Sequence, residues 1–136
     1  MFDSKLFKSR SLRTIEPALQ TMFNEGQLAS MAGLGTIVHF SSGEEIIAEG
    51  TDGTAAFFIT AGTAAVSRAG AEIAVVSSGE LIGEQALVTG QLRNATITAL
   101  MPVTALKFDR QQFAWLRLES QKVRTLSDEL IATRSA

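Results

Sequence analysis

Gly79-Glu80-Leu81-Ile82-Gly83-Glu84-Gln85-Ala86-Leu87, followed after a short gap by Arg93-Asn94-Ala95-Thr96-Ile97, interrupts an otherwise regular β pattern in this chain. The stretch sets a carboxylate, a turn of helix and a guanidinium close together. Glu84 can accept a hydrogen bond from a ribose hydroxyl. The first amides of a short helix, near Gln85 and Ala86, lack carbonyl partners within the helix and suit a phosphate. Arg93 can close on the same phosphate with a planar fork of donors. An anionic sugar phosphate needs all three features, and together they describe a ligand cradle rather than a catalytic centre. Taken alone, Glu84 and Arg93 read more simply as a structural ion pair across a loop, which at a surface contributes about 0–1 kcal/mol; the whole stretch favours the cradle.

On both sides of this stretch the chain reads as β. Short β-branched and apolar segments alternate with turn signals from residue 36 to 108. The expected strands are Thr36–Phe40, Glu45–Glu49, Ala55–Ala61, Thr63–Arg68, Glu72–Val76, Leu81–Ile82, Asn94–Met101 and Val103–Phe108. The breaks carry Ser42-Gly43, Gly50-Thr51-Asp52-Gly53, Ala69-Gly70, Ser78-Gly79 and Met101-Pro102, each with a glycine or proline where the backbone reverses. In the last strand, Leu106 and Phe108 are read as facing one way and Thr104 and Lys107 the other. Eight short strands at close spacing predict an antiparallel β-roll of jelly-roll type. Glu84–Val88 is the one helical turn inside it, and an irregular insert in a β-roll is a natural place for a ligand site.

The flanks read as helical, within a single domain spanning 1–136. In residues 1–34, Thr14 suits an N-cap, Pro17 the first turn, and Ala18, Leu19, Met22 and Phe23 recur at helical spacing. After the β zone, Asp109 suits an N-cap, with Phe113, Trp115 and Leu116 as an apolar side. Ser120 suits the cap of a second helix that runs towards residue 134. Its Val123, Leu126 and Leu130 are spaced as a heptad seam of little more than one repeat, fit for a lid, a dimer seam or core contact.

Composition narrows the function. The 136 residues carry a net charge of −2, which gives no basic field for nucleic acid. There is no cysteine, so disulfides and thiolate metal sites are excluded, and no apolar run reaches the 18 to 20 residues of a membrane span. The basic amino terminus (Lys5, Lys8, Arg10, Arg13) lacks the apolar block of a signal peptide, which makes the cytoplasm the expected location and Met1 the expected start. A cupin-like metal enzyme needs several histidines about one metal, and His39 is the only one. No Gly-x-Ser-x-Gly elbow suggests a serine hydrolase. Phe40, Phe57 and Phe58 read as core.

In its order of elements the chain resembles the cyclic nucleotide-binding domain family, which includes the catabolite activator protein and the regulatory subunits of cyclic-AMP-dependent protein kinase. The resemblance runs from about residue 28 to 130. It is carried by Ser42-Gly43-Glu44 with Ile46, by Gly50 with Phe58-Ile59-Thr60-Ala61-Gly62, and above all by the stretches 79–87 and 93–97, which resemble the phosphate-binding cassette (82–97). The resemblance implies that Ile82, Gly83, Glu84, Gln85, Ala86, Leu87, Arg93, Asn94 and Ala95 form the ligand site. Arg93 would pair with the cyclic phosphate, Glu84 and the Gly83 backbone would take the ribose 2′-hydroxyl, and the Ala86 and Asn94 amides would face the phosphate. A small Gly83 would let the chain approach the sugar. Val123, Leu126 and Leu130 would supply a lid or a dimer seam. Ile82 departs from the family's common phenylalanine. Asn94 stands where alanine, serine or threonine is common, and threonine there is linked to guanine, so base choice stays open.

The expectation is a non-catalytic sensor for a cyclic nucleoside monophosphate, cyclic AMP before cyclic GMP. It needs no cofactor or metal, and occupancy would reach a protein partner or a second copy through movement of the carboxyl-terminal helices. From Asp109 onward only 28 residues follow, too few for the DNA-binding domain of the family's transcription factors. The alternative is an interaction module that kept the β-roll and lost the ligand.

Overall fold

The computed structural model describes residues 33–134. The elements run β1 (Thr36–Phe40), β2 (Glu45–Ile47), β3 (Ala55–Ala61), β4 (Thr63–Arg68), β5 (Ala71–Ser77), β6 (Leu81–Ile82), α1 (Glu84–Thr89), β7 (Thr96–Ala99), β8 (Val103–Asp109), α2 (Arg110–Glu119) and α3 (Gln121–Arg134). The helices expected in residues 1–34 lie outside the described residues except for Gly33 and Leu34, which are helical.

The strands form two four-stranded antiparallel sheets, ordered β1-β8-β3-β6 and β2-β7-β4-β5. The β-roll of the sequence reading is therefore present. Two strands are shorter than expected. β2, whose pairing with β7 shifts register between Glu45 and Ile47, stops at Ile47 because the chain then turns, with Thr51 Oγ1 donating to the Ala48 carbonyl at 2.6 Å. β7 starts only at Thr96 because Arg93 pairs its backbone with the neighbouring loop instead: its N–H donates to the Thr51 carbonyl and its carbonyl accepts from Gly50, both at 2.8 Å.

The first sheet is covered on both faces. Ala56, Phe58, Leu106 and Phe108 project into one core with Phe113, Leu116 and Val123 of the helices. Ala55, Phe57, Ile59, Val103 and Ala105 project into a second core between the sheets, with Ile47, Val76, Ile82 and Ile97. β3 and β8 thus lack the polar-out alternation of a half-exposed sheet. This corrects one expectation. Strict alternation puts Thr104 in phase with Leu106 and Phe108, not with Lys107, and its carbonyl accepts from Thr60 Oγ1 at 3.1 Å. Phe57 and Phe58 are buried as expected, and Phe40 meets Phe57 edge-on at 5.8 Å.

The helical end is tightly specified. Asp109 caps α2 through a capping box: Asp109 Oδ1 accepts from the Gln112 amide at 2.7 Å and Gln112 Oε1 from the Asp109 amide at 2.9 Å. Ser120 Oγ accepts from the Val123 amide at 3.2 Å at the start of α3. Arg117 bridges back to Asp128 at 3.0 Å and to Ser127, pinning α2 against α3. Trp115 is off the expected apolar face: Phe113 and Leu116 are buried while Trp115 is 51% exposed. Among the described residues no helix is long and apolar enough to cross a membrane.

Candidate functional site

β6 delivers Ile82 into the core between the sheets, and the chain then breaks at Gly83, the N-cap of α1, at φ 79°. Only glycine takes that left-handed backbone without strain. The site explains the residue further, because a β-carbon there would lie 2.8 Å from Arg93 Nη1, 2.9 Å from Ile47 Cδ1 and 3.1 Å from the Ala55 carbonyl. The close approach that Gly83 permits in this structure is to the Arg93 guanidinium. α1 lasts until Thr89, where Gly90 at φ 74° donates to the Ala86 carbonyl and ends it.

Arg93 lies at the centre of this arrangement and is only 9% exposed. Its Nη1 donates to the Gly83 carbonyl at 2.7 Å and its Nη2 to the Ala55 carbonyl at 2.6 Å. Those two bonds aim the guanidinium. Burial pushes the Arg93 guanidinium below its usual range, the Glu84 charge opposes that, and Arg110 adds to it. Arginine stays charged nonetheless, so the site holds a largely desolvated cation, which an anion would stabilise.

Glu84 is 1% exposed, and its Oε2 accepts from the Gln85 amide at 3.1 Å. One amide expected to face a phosphate is thus engaged by Glu84 itself. Gln85 Oε1 accepts from Asn94 Nδ2 at 2.8 Å, which clasps α1 to the segment after Arg93. Arg68 Nε donates to the Asn94 carbonyl at 2.9 Å from the end of β4.

These residues wall a cavity of about 300 Å³. Ile82, Gly83, Glu84, Gln85, Ala86, Arg93, Asn94 and Ala95 all line it. Leu87 does not: it points to the opposite side of α1 and packs against the core that holds Phe58, Phe113 and Val123. The lid expectation is not met in this arrangement either. Val123 is buried in that same core and Leu130 packs on it, so both contribute core contact; the Leu126 side chain lies outside the described residues.

The sequence reading missed three parts of the site. Val66, Ile73, Val75 and Leu92 form an apolar wall, with Ile73, Val75 and Leu92 more than half exposed at its mouth. Alternating exposed apolar residues on β5 were the available signal. The Ala55 carbonyl leaves no trace in the side-chain pattern. Gly53 was read as a turn residue, yet a β-carbon there would fall 2.4 Å from Ala86 Cβ and 3.2 Å from Arg93 Cζ, so its backbone packs on both. Among the described residues, no group of three histidine, cysteine, aspartate or glutamate side chains could hold a metal ion.

A mostly apolar cavity with one buried cation and one buried carboxylate has the make-up of a small-molecule site. Comparison with known proteins gives it a family. The model of the cyclic nucleotide-binding domain matches residues 37–120. A cGMP-dependent protein kinase of Eimeria tenella is 33% identical over 89 residues, which is 65% of this chain and 9% of that protein. The chain therefore spans under a tenth of that relative's length. Among solved structures, the catabolite activator protein of Thermus thermophilus superposes with a TM-score of 0.76 at 21% identity, over 86% of this chain and 57% of its own. PKAR CBD2 bound to Sp-2Cl-cAMPS superposes with a TM-score of 0.65 at 24% identity, over 89% of this chain and 90% of its own. The chain belongs to the cyclic nucleotide-binding domain family.

Proposed function

We propose that this chain is a non-catalytic sensor that takes a cyclic nucleoside monophosphate into the Arg93–Glu84 cavity and passes occupancy to a protein partner through its carboxyl-terminal helices. The observation that carries the reading is Arg93: a buried guanidinium, oriented by two backbone carbonyls, at the wall of a cavity that the buried Glu84 also lines. A guanidinium has five N–H donors, and two Nη protons are taken by Gly83 and Ala55. The remaining donors are the ones that would serve phosphate oxygens. Glu84 is the acceptor for a sugar hydroxyl, and Val66, Ile73, Val75 and Leu92 offer the base an apolar surface.

Cyclic AMP is the first candidate and cyclic GMP the second. Asn94 stands where the family's alanine, serine or threonine is common and leaves base choice open, and its side-chain amide is held by Gln85. The Eimeria relative is a cGMP-dependent kinase, which makes the competition between the two nucleotides worth measuring directly. A ligand of about 22 heavy atoms at roughly 0.3 kcal/mol per atom gains near 7 kcal/mol, which corresponds to micromolar affinity. Calorimetric titration of the parent and of Arg93→Ala with each nucleotide tests the reading. Stoichiometric binding that weakens about 30- to 150-fold in the variant supports it. Equal binding by the two proteins removes Arg93 from the site.

A further inference from the structure

We propose that Arg110 is the positioning residue that ties the cavity to the carboxyl-terminal helices, by holding the Gly53 carbonyl against the back of the Arg93 site. The proposal rests on the cyclic-nucleotide reading above and names the route by which occupancy of that cavity reaches α2.

The loop from Gly50 to Ala55 wraps Arg93 on several sides. Gly50 and Thr51 bond the Arg93 backbone in both directions, and the Ala55 carbonyl takes Nη2. Gly53 is buried, with its backbone against both Ala86 of α1 and the Arg93 guanidinium. Any shift of Arg93 or α1 towards a bound anion therefore moves this loop, because close-packed groups transmit displacement instead of absorbing it.

Arg110 meets the loop from the other side. Its Nη2 donates to the Gly53 carbonyl at 2.8 Å. The β3–β8 ladder brings it there, since Ala55 stands opposite Asp109 at the last register pair before α2 begins. Arg110 is the first residue of α2, where a cation opposes the helix dipole and an acidic residue is the favourable choice. The Asp109 capping box makes that position tolerable, and the bond to Gly53 accounts for its use. The like charges of Arg93 and Arg110 oppose each other across the loop, and an anion bound at Arg93 would offset that repulsion. Loop, α1 and α2 thus meet at Gly53, and the Arg110 side chain carries a hydrogen bond from that junction into the start of α2, beside the apolar packing of Leu87 on the helical core.

The test uses the full chain and Trp115, the single tryptophan, which lies on α2 half exposed. Cyclic AMP and cyclic GMP are titrated into the parent, Arg110→Ala and Arg110→Lys, with calorimetry for binding and Trp115 emission for α2. Amide exchange with and without nucleotide is followed in the parent. The expected result is parallel slowing of exchange at residues 51–55 and 110–113 in the parent. Arg110→Ala should bind within about tenfold of the parent but lose most of the emission change, and Arg110→Lys should restore part of it. A purely structural role would lower the melting temperature of the free variant and leave the emission change intact. A full emission response in Arg110→Ala overturns the proposal, as does slowing at 51–55 with none at 110–113 in the parent, a measurement that does not depend on the variant folding. A parent that binds neither nucleotide overturns the sensor reading itself, and the proposal with it.

Discussion

Replacing Arg93 with lysine keeps the charge and removes the fork, and the structure sets the consequence. The two Nη groups reach carbonyls on different strands of chain, Gly83 at 2.7 Å and Ala55 at 2.6 Å. An ammonium on a flexible stem is a point donor and cannot hold both in that geometry. One charge-assisted bond is lost and one buried carbonyl is left without its donor, a change of about 2–3 kcal/mol. Unfolding entropy near 2.1 cal/mol/K per residue gives about 0.3 kcal/mol per degree for a chain this long, so the melting temperature should fall by roughly 7–10 °C. Affinity for cyclic AMP should fall on the order of 30-fold or more, because the same fork is needed for phosphate. Thermal melting without ligand and calorimetry with it measure the two effects separately. An Arg93→Lys protein that melts with the parent would refute the carbonyl-clamp argument, even if its binding is weakened.

Three further outcomes follow from particular contacts. Gly83→Ala forces a side chain into left-handed backbone and against Arg93, Ile47 and Ala55, which should cost about 2–4 kcal/mol in a denaturant titration. Glu84→Gln should weaken cyclic AMP about tenfold or more, and should erase most of the parent's discrimination against 2′-deoxy cyclic AMP; a discrimination that survives the substitution removes Glu84 from the sugar. Asp109→Ala breaks the capping box and should lower stability by about 1 kcal/mol, roughly 3–4 °C in melting, while leaving nucleotide affinity nearly unchanged.

The strands were legible because glycine and proline punctuate them, and β1, β3, β4 and β6 have the bounds that reading predicts. β2 and β7 were over-extended because the Arg93 backbone leaves the ladder to bond Gly50 and Thr51, a tertiary choice with no mark in local propensity. The cassette residues were legible as a motif. Their use of the backbone was not: a glycine in a turn looks the same in sequence whether or not it packs on a guanidinium, as Gly53 does. Leu87 was placed in the site by the resemblance of the stretch 79–87 to the cassette, whereas helical geometry turns it to the opposite side of α1. The spacing of Val123 and Leu130 allowed a lid, a seam or a core contact equally well. Only the packing of α3 against Leu87 and the first sheet distinguishes them here.

Melting of the parent with cyclic AMP and with cyclic GMP tests the central claim most directly. At about 100 times the dissociation constant, ligand adds roughly 2.7 kcal/mol, which for this chain is a rise of about 9 °C with at least one nucleotide. Melting curves that neither nucleotide shifts, up to millimolar concentration, would contradict it.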